Sequence, residues 1–366
     1  MRLAGNEEKF LRKKFSDYYK DCKVSAADIG KREVGFGGWE KKIEFRHIGI
    51  RDEAELRAKL VNEAPLYISH SVAYYEFPAA RPMLRKNWQG ADLVFDLDAE
   101  AHSCKKFTCE ACLEKVKDDA IKLIEDFLLS DFGLSKNEIS INFSGSRGYH
   151  VHVKSGSVMQ LGREARREIA DYVTGTGLVF GRLFWKDGKK LFGPSPSQGG
   201  FGGKFARAFV ALLEDDEFAI SISRKLKKPE ERKRLVLAIK NGNWDNIGIA
   251  ARERKLEEKF ESMRLTMAGR IDANVTADTS KLIRMPNTLH GGSGFAAKKI
   301  DRLGRFEPMK HATAFGEEEV KVKATEQVPC LCIKDFSFGP LDKGTVILLP
   351  MHSAVYLLCK KAAVLA

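Results

Sequence analysis

Residues 91–100 read ADLVFDLDAE, an apolar run that ends in two aspartates one residue apart, Asp96 and Asp98. Leu93-Val94-Phe95 suits a strand buried on both faces. Side chains alternate along a strand, so Asp96 and Asp98 project from one face, roughly 6–7 Å apart. Two carboxylates held together in a poorly solvated cleft repel, and one pKa rises. A divalent cation between them relieves this. Carboxylate oxygens favour Mg²⁺ or Mn²⁺, ions that keep positions open for phosphate oxygens. Two such ions activate a hydroxyl and stabilise a pyrophosphate leaving group. The plainer reading of an isolated Asp-x-Asp is two exposed residues opening a turn. Charges confined to the C-terminal end of a strand are, however, the layout of an α/β active site.

Outward from this strand, the pattern is mixed. Apolar residues fall at helical spacing over 7–23 and 52–63, and the intervening REVGFGGWEKKIEFRHIGI (32–50) reads as strand, glycine turn, strand. After the aspartates come a cysteine-containing loop, a helix over 110–131, two strands joined by a Gly-rich turn in ISINFSGSRGYHVHVKS (139–155), and a helix over 162–180. From about 185 to 255 the character changes. FGPSPSQGGFGG (192–203) reads as a loop, and 221–248 is polar, basic and helical in pattern. Strand character returns at 281–284 and over 318–349. The expectation is an α/β (α+β) body formed by 1–184 and 256–366, with a small, mainly helical subdomain inserted at 185–255.

Bulk properties narrow the function classes. The 366 residues carry 43% hydrophobic and 31% charged side chains, which fits a globular chain and excludes wholesale disorder. A net charge of +12 fits either a solvated basic surface or the footprint of a polyanion such as nucleic acid. MRLAGNEEKF lacks the apolar centre of a secretory peptide, and runs such as 208–213 and 346–349 are too short to span a bilayer. Seven scattered cysteines suit a reduced compartment. The protein is therefore expected to be cytoplasmic, neither secreted nor membrane-bound.

Two Gly-rich turns add the means to hold an anion. In Ser144-Gly145-Ser146-Arg147-Gly148-Tyr149-His150 the glycines let backbone N–H groups approach a phosphate, Ser144 can donate, and Arg147 can fork onto it. His150 and His152 share one face of the following strand; His150 could donate to a triphosphate or hold a carboxylate, whereas His152 reads as a satisfied strand histidine. The second turn, LHGGSG (289–294), follows a strand from which Arg284 emerges and is opened by His290. Asp272 and Asp278 compete as the acid that precedes it. Two basic Gly-rich turns with an aspartate pair suggest a bound triphosphate.

Asp96-x-Asp98, SGSRGYH (144–150) and IDANVTAD…LIRMPNTLHGGSG (271–294), in this order, resemble the catalytic small subunit of archaeal and eukaryotic DNA primase over residues 30–300. The resemblance implies the archaeo-eukaryotic primase catalytic core, template-directed synthesis of short primers from nucleoside triphosphates on single-stranded DNA, and a primase large subunit as heterodimer partner. By motif it makes Asp96, Asp98 and Asp272 the ligands of Mg²⁺ or Mn²⁺, leaving Asp278 outside. Ser144, Arg147, His150, Arg284 and His290 would bind the nucleotide. This chain departs from the family in two places. Gly292 stands where many relatives have Lys, so that a triphosphate contact is missing or replaced by backbone N–H groups. Ser146 stands where eukaryotic relatives are basic.

His102-x-Cys104-x4-Cys109-x2-Cys112 offers four ligands of the kind tetrahedral Zn²⁺ takes, a knuckle over about 102–112 that the resemblance also implies. With all four positions filled by protein the ion would be structural. Cys330-x-Cys332 is spaced too closely for a zinc half-site and reads as core or surface. The competing readings are a primase-polymerase or repair polymerase of the same superfamily, and a non-catalytic zinc-containing nucleic-acid module. Acidic positions in a basic groove argue against the latter, since carboxylates repel phosphate unless metal intervenes.

Overall fold

The computed structural model describes residues 5–24, 26–99, 106–245 and 250–366. In chain order the elements are α1 (Gly5–Asp21), β1 (Val34–Gly37), β2 (Phe45–Ile48), α2 (Glu53–Glu63), β3 (Tyr67–Ser71), β4 (Ala73–Tyr75), β5 (Trp88–Ala91), β6 (Leu93–Asp98) and α3 (Glu110–Lys122), which continues as a π-helix over Leu123–Leu129. Next come β7 (Ile139–Phe143), β8 (Gly148–Val153), α4 (Gly156–Met159), α5 (Arg163–Thr174), β9 (Trp185–Asp187), β10 (Lys190–Phe192), α6 (Gly200–Leu212), α7 (Asp216–Ile222), α8 (Pro229–Lys240) and α9 (Ala250–Met267). The chain closes with α10 (Ala273–Ala277), β11 (Leu282–Arg284), β12 (Lys299–Ile300), α11 (Pro308–His311), β13 (Glu319–Ala324), β14 (Leu331–Ile333), β15 (Phe336–Phe338), β16 (Val346–Pro350), α12 (Met351–Cys359) and β17 (Ala363–Leu365). The fold is α+β. Among the described residues no helix is long and apolar enough to cross a membrane.

The chain divides into two compact units. The first comprises residues 1–121, 135–167 and 271–366. It contains two four-stranded sheets, ordered β11-β3-β1-β2 and β12-β7-β8-β6, both antiparallel throughout. Leu11, Phe15 and Tyr19 recur every fourth residue of α1, the spacing that aligns one helical face, and that face is fully buried. It packs with Leu56 and Leu60 of α2 on Val34, Phe36 and Ile68 of the first sheet. α2 begins where the Asp52 carboxylate accepts the Glu55 N–H at 2.8 Å, satisfying one of the helix's unpaired donors. A second core of Val72, Ala73, Tyr75, Ala91, Val94, Val275 and Ile283 lies beneath β6 and fixes α10 beside it.

The second unit, residues 122–134 and 168–270, is wider than the inserted segment 185–255 read from the sequence. Within it, the segment 185–255 begins with a hairpin of β9 and β10 and continues through α6, α7 and α8 into α9. The run 192–203 is also not all loop, because α6 begins at Gly200. Phe201, Phe205 and Phe209 form a buried stripe on α6 that packs on Trp244, and burial of these rings outweighs the glycines' helix-breaking tendency.

Candidate active site

β6 is the edge strand of its sheet, paired with β8 so that Asp96 faces His150 and Asp98 faces Gly148. Leu93, Val94, Phe95 and Leu97 are all buried, so the strand is held from both faces and only its aspartate end reaches solvent. Its open edge is met by the start of α10: the Asp272 N–H donates to the Asp96 carbonyl at 2.9 Å. Asp272 caps α10, its Oδ1 accepting from the N–H of Asn274 at 2.9 Å and of Val275 at 3.4 Å. Asp278 stands at the other end of that helix, turned to the Ser280 N–H and hydroxyl. The structure thus sets Asp272, and not Asp278, beside the aspartate strand.

Burial, then the charges of Asp98 and Asp272, push the Asp96 carboxyl up to about 7, while Lys281 and Lys42 act in the opposite sense. A cation placed among the three carboxylates would relieve their mutual repulsion. Among the described residues, no three His, Cys, Asp or Glu side chains are drawn together closely enough to form a metal-binding group. Aspartate oxygens brought from two elements are nevertheless of the hard kind that a divalent ion takes.

The turn between β7 and β8 is closed at both ends by Ser144. Its N–H donates to the Gly148 carbonyl at 2.9 Å and its Oγ accepts the Gly148 N–H at 3.1 Å, so the hydroxyl hydrogen is left to donate outward. Gly145 has φ +84°, and a Cβ there would come within 2.9 Å of the His290 Cβ. The Ser293 hydroxyl donates to the Gly145 carbonyl. The two Gly-rich turns therefore touch, although one precedes β8 and the other follows β11. The second turn rests on α12, where Gly294 (φ +73°) leaves no room for a side chain: a Cβ would lie 2.5 Å from Val355 Cγ1.

His290 is buried, and burial, then the charges of Arg284, Lys42, Lys360 and Arg147, hold it neutral, well below the ordinary histidine range. Its Nδ1 accepts the Gly292 N–H at 3.1 Å, which places the ring proton on Nε2, free to donate to a phosphate. The Gly292 N–H is spent on this bond and is not left for a phosphate. Arg284 is buried, donates Nη1 to the Ile68 carbonyl at 3.2 Å and lies 4.9 Å from the Tyr67 ring centroid. Burial lowers it only to about 10, so it stays charged, and among the described residues no carboxylate pairs with it. A buried guanidinium of this kind invites an anion.

His150 Nε2 sits 3.6 Å from Asp96 Oδ1, too far for a hydrogen bond. Burial, then His152 and Arg284, hold it down to about 3, so the contact is not an ion pair. His152 lies behind it, its ring stacked at 6.3 Å on His70, as a buried strand histidine. Lys42, Lys281 and Lys360 went unread in the sequence, because single lysines in turns carry no spacing pattern.

His102 and Cys104 lie outside the described residues. Cys109 and Cys112 stand at the start of α3 and line a cavity of about 780 Å³ together with Cys330 and Cys332. Cys330 and Cys332 are exposed, not core.

A DNA primase small subunit sequence profile matches residues 95–302. The DNA primase small subunit PriS of Methanothrix thermoacetophila is 35% identical over 98% of this chain and 98% of its own length. That of Archaeoglobus fulgidus is 36% identical over 96% of each chain, and that of Thermoplasma volcanium 33% identical over 98% of this chain and 97% of its own.

Proposed function

The chain belongs to the DNA primase small subunit family, and from this premise we propose that Asp96, Asp98 and Asp272 hold the Mg²⁺ or Mn²⁺ ions of primer synthesis. The protein is a DNA-directed primase, a nucleotidyltransferase of DNA replication that takes single-stranded DNA and nucleoside triphosphates as substrates. Bound divalent ions would lower the pKa of the attacking hydroxyl and neutralise the pyrophosphate that leaves. The remaining work falls to the chain. Ser144 and Arg147 on the first turn, and Arg284 and His290 at the second, converge on one triphosphate. His290 donates as a neutral imidazole, so it orients a phosphate without carrying charge, and Arg284 supplies the charge from a dry site where it counts most. His150 walls the carboxylates. One observation supports this reading above others: the two turns, far apart in sequence, touch through Gly145 and Ser293.

We assign a structural Zn²⁺ to His102, Cys104, Cys109 and Cys112, residues 168–270 to the inserted subdomain, and a primase large subunit as the heterodimer partner. A replication role places the protein at the nucleoid. The test supplies a circular single-stranded template, labelled triphosphates and Mg²⁺ or Mn²⁺. Primers made without any pre-existing 3′ end support the assignment. Extension only of an annealed primer would point to a repair polymerase of the same superfamily.

A further inference from the structure

We propose that the tip of the β4–β5 hairpin, residues 77–88, is a stacking platform for the single-stranded DNA template. The proposal rests on the primase reading and names a contact surface outside the carboxylates and the two turns. The ribbon runs on past β4 and β5: the Glu76 N–H donates to the Asn87 carbonyl at 3.1 Å and the Phe77 N–H to the Lys86 carbonyl at 3.0 Å. Beyond that root, apolar side chains face water. Phe77 is 54% exposed, Leu84 95% and Trp88 36%. Large apolar groups gathered on one hairpin call for a ligand.

The tip is rigid. Lys86 is fully buried at its base, 3.4 Å from the buried carboxylate of Glu33. Arg81 reaches back from the tip to donate to the Arg46 carbonyl of β2 at 3.1 Å. A platform fixed in this way loses little freedom when a base stacks on it.

Charge selects the ligand. Arg81 and Arg85 are exposed on the tip, and β2 beside it carries the exposed Phe45 and the half-buried Arg46. The nearby acids are engaged: Glu76 with the Asn87 amide and Glu33 with Arg46. Aromatic faces interleaved with arginines suit bases and phosphates of a single strand, since every base offers a π-face. Position fits as well. Trp88 opens β5, which leads through Asp92 into β6, and the far end of β6 carries Asp96 and Asp98, so one stretch of chain joins the tip to the acidic end.

The test measures binding of a fluorescein-labelled oligo(dT), on the order of twenty nucleotides long, to the full chain, by anisotropy across a salt series. Phe77→Ala should weaken binding by about five- to a hundredfold, the range for one lost stacked base. Arg85→Ala should lower the slope of log affinity against log salt by about 0.7. Trp88→Phe should keep the affinity but abolish part of the quenching of tryptophan emission by oligo(dT). Phe77→Ala and Leu84→Ala alter exposed side chains, so thermal midpoints should stay put. Unchanged affinity in Phe77→Ala, slope in Arg85→Ala and quenching in Trp88→Phe together overturn the proposal, as does loss of large-subunit association with DNA binding intact, which would make the tip a protein interface. Primer synthesis by the wild type is scored separately. A chain that makes no primers, yet loses oligo(dT) binding on Phe77→Ala, keeps the platform and sinks the primase reading; the reverse result does the opposite.

Discussion

The main-chain N–H of Asp272 donates to the main-chain carbonyl of Asp96 at 2.9 Å. Two acids from distant parts of the chain are thereby set side by side through their backbones, and neither carboxylate takes part in that bond. The Asp272 Oδ1 is already occupied by its helix cap, so Oδ2 is the oxygen available to a metal.

This divides the effects of substitution at Asp272. Asp272→Asn keeps a capping oxygen and should lose nucleotide addition with little change in stability. Asp272→Ala should lose activity and also about 1 kcal/mol of stability through the cap. Asp278→Ala should remain active. Primer synthesis and urea unfolding check all three; a dead Asp278 variant beside an active Asp272 variant overturns the assignment.

Asp96 should make the metal-free protein sensitive to pH. Its carboxyl is raised from 3.8 to about 7, so its protonated form stabilises the fold fully below about 4, and that contribution fades as pH rises through 7. The side chain keeps 29% exposure, which limits the effect to about 1–2 kcal/mol. In EDTA, Asp96→Asn should raise the thermal midpoint at pH 8 and leave it unchanged near pH 4. Added Mg²⁺ should stabilise the wild type at pH 8 and do little for the variant.

Arg147→Ala, Arg284→Ala and His290→Ala should each weaken triphosphate binding about ten- to a hundredfold, at roughly 1.5–3 kcal/mol per charged hydrogen bond. Monophosphate binding should change much less. Equal losses for the two nucleotides would move these residues from the β- and γ-phosphates to another part of the ligand.

Gly145→Ala should damage the site twice, by placing a side chain at φ +84° and by pressing on His290. The backbone term alone is about 1–2 kcal/mol. Gly133→Ala is the control, since its φ is +68° with no atom within 4 Å of the added Cβ. Both should lower the thermal midpoint; only the first should lower nucleotide affinity.

For zinc, elemental analysis should give about one ion per chain, as one four-ligand site requires. Cys109→Ser or Cys112→Ser should release it and loosen the fold. Because Cys330 and Cys332 line the same cavity as Cys109 and Cys112, a Cys330→Ser/Cys332→Ser double variant is the informative control. It should retain its zinc.

Elements with strong periodicity were legible beforehand. α1 and α2 announce themselves by spacing, and β6, β7 and β8 by apolar runs closed with charge or glycine. The motifs also held the residues that folding brings together, Asp96 with Asp272 and Gly145 with His290. What escaped was set by tertiary contact. The glycines in the first turn of α6 hid a helix that exists because Phe201, Phe205 and Phe209 are buried together. The β4–β5 hairpin was missed because its tip carries neither alternation nor a two-residue turn. Lys42 and Lys360 belong to the site only because folding brings β2 and α12 to His290.

The packing of Gly294 against Val355 has a consequence for the timing of activity during synthesis. The nucleotide cradle needs a turn near residue 145, a turn near residue 290 and, beneath the latter, the helix at 351–359. Tyr356 of that helix also accepts the Thr108 N–H at 2.8 Å, steadying the chain shortly after the aspartate strand. A ribosome-bound chain that has exposed its carboxylates but not this helix holds an unsupported cradle. Nascent chains that have not yet released residues 351–359 should therefore be inert toward nucleotides, with competence arriving in one step once that helix docks.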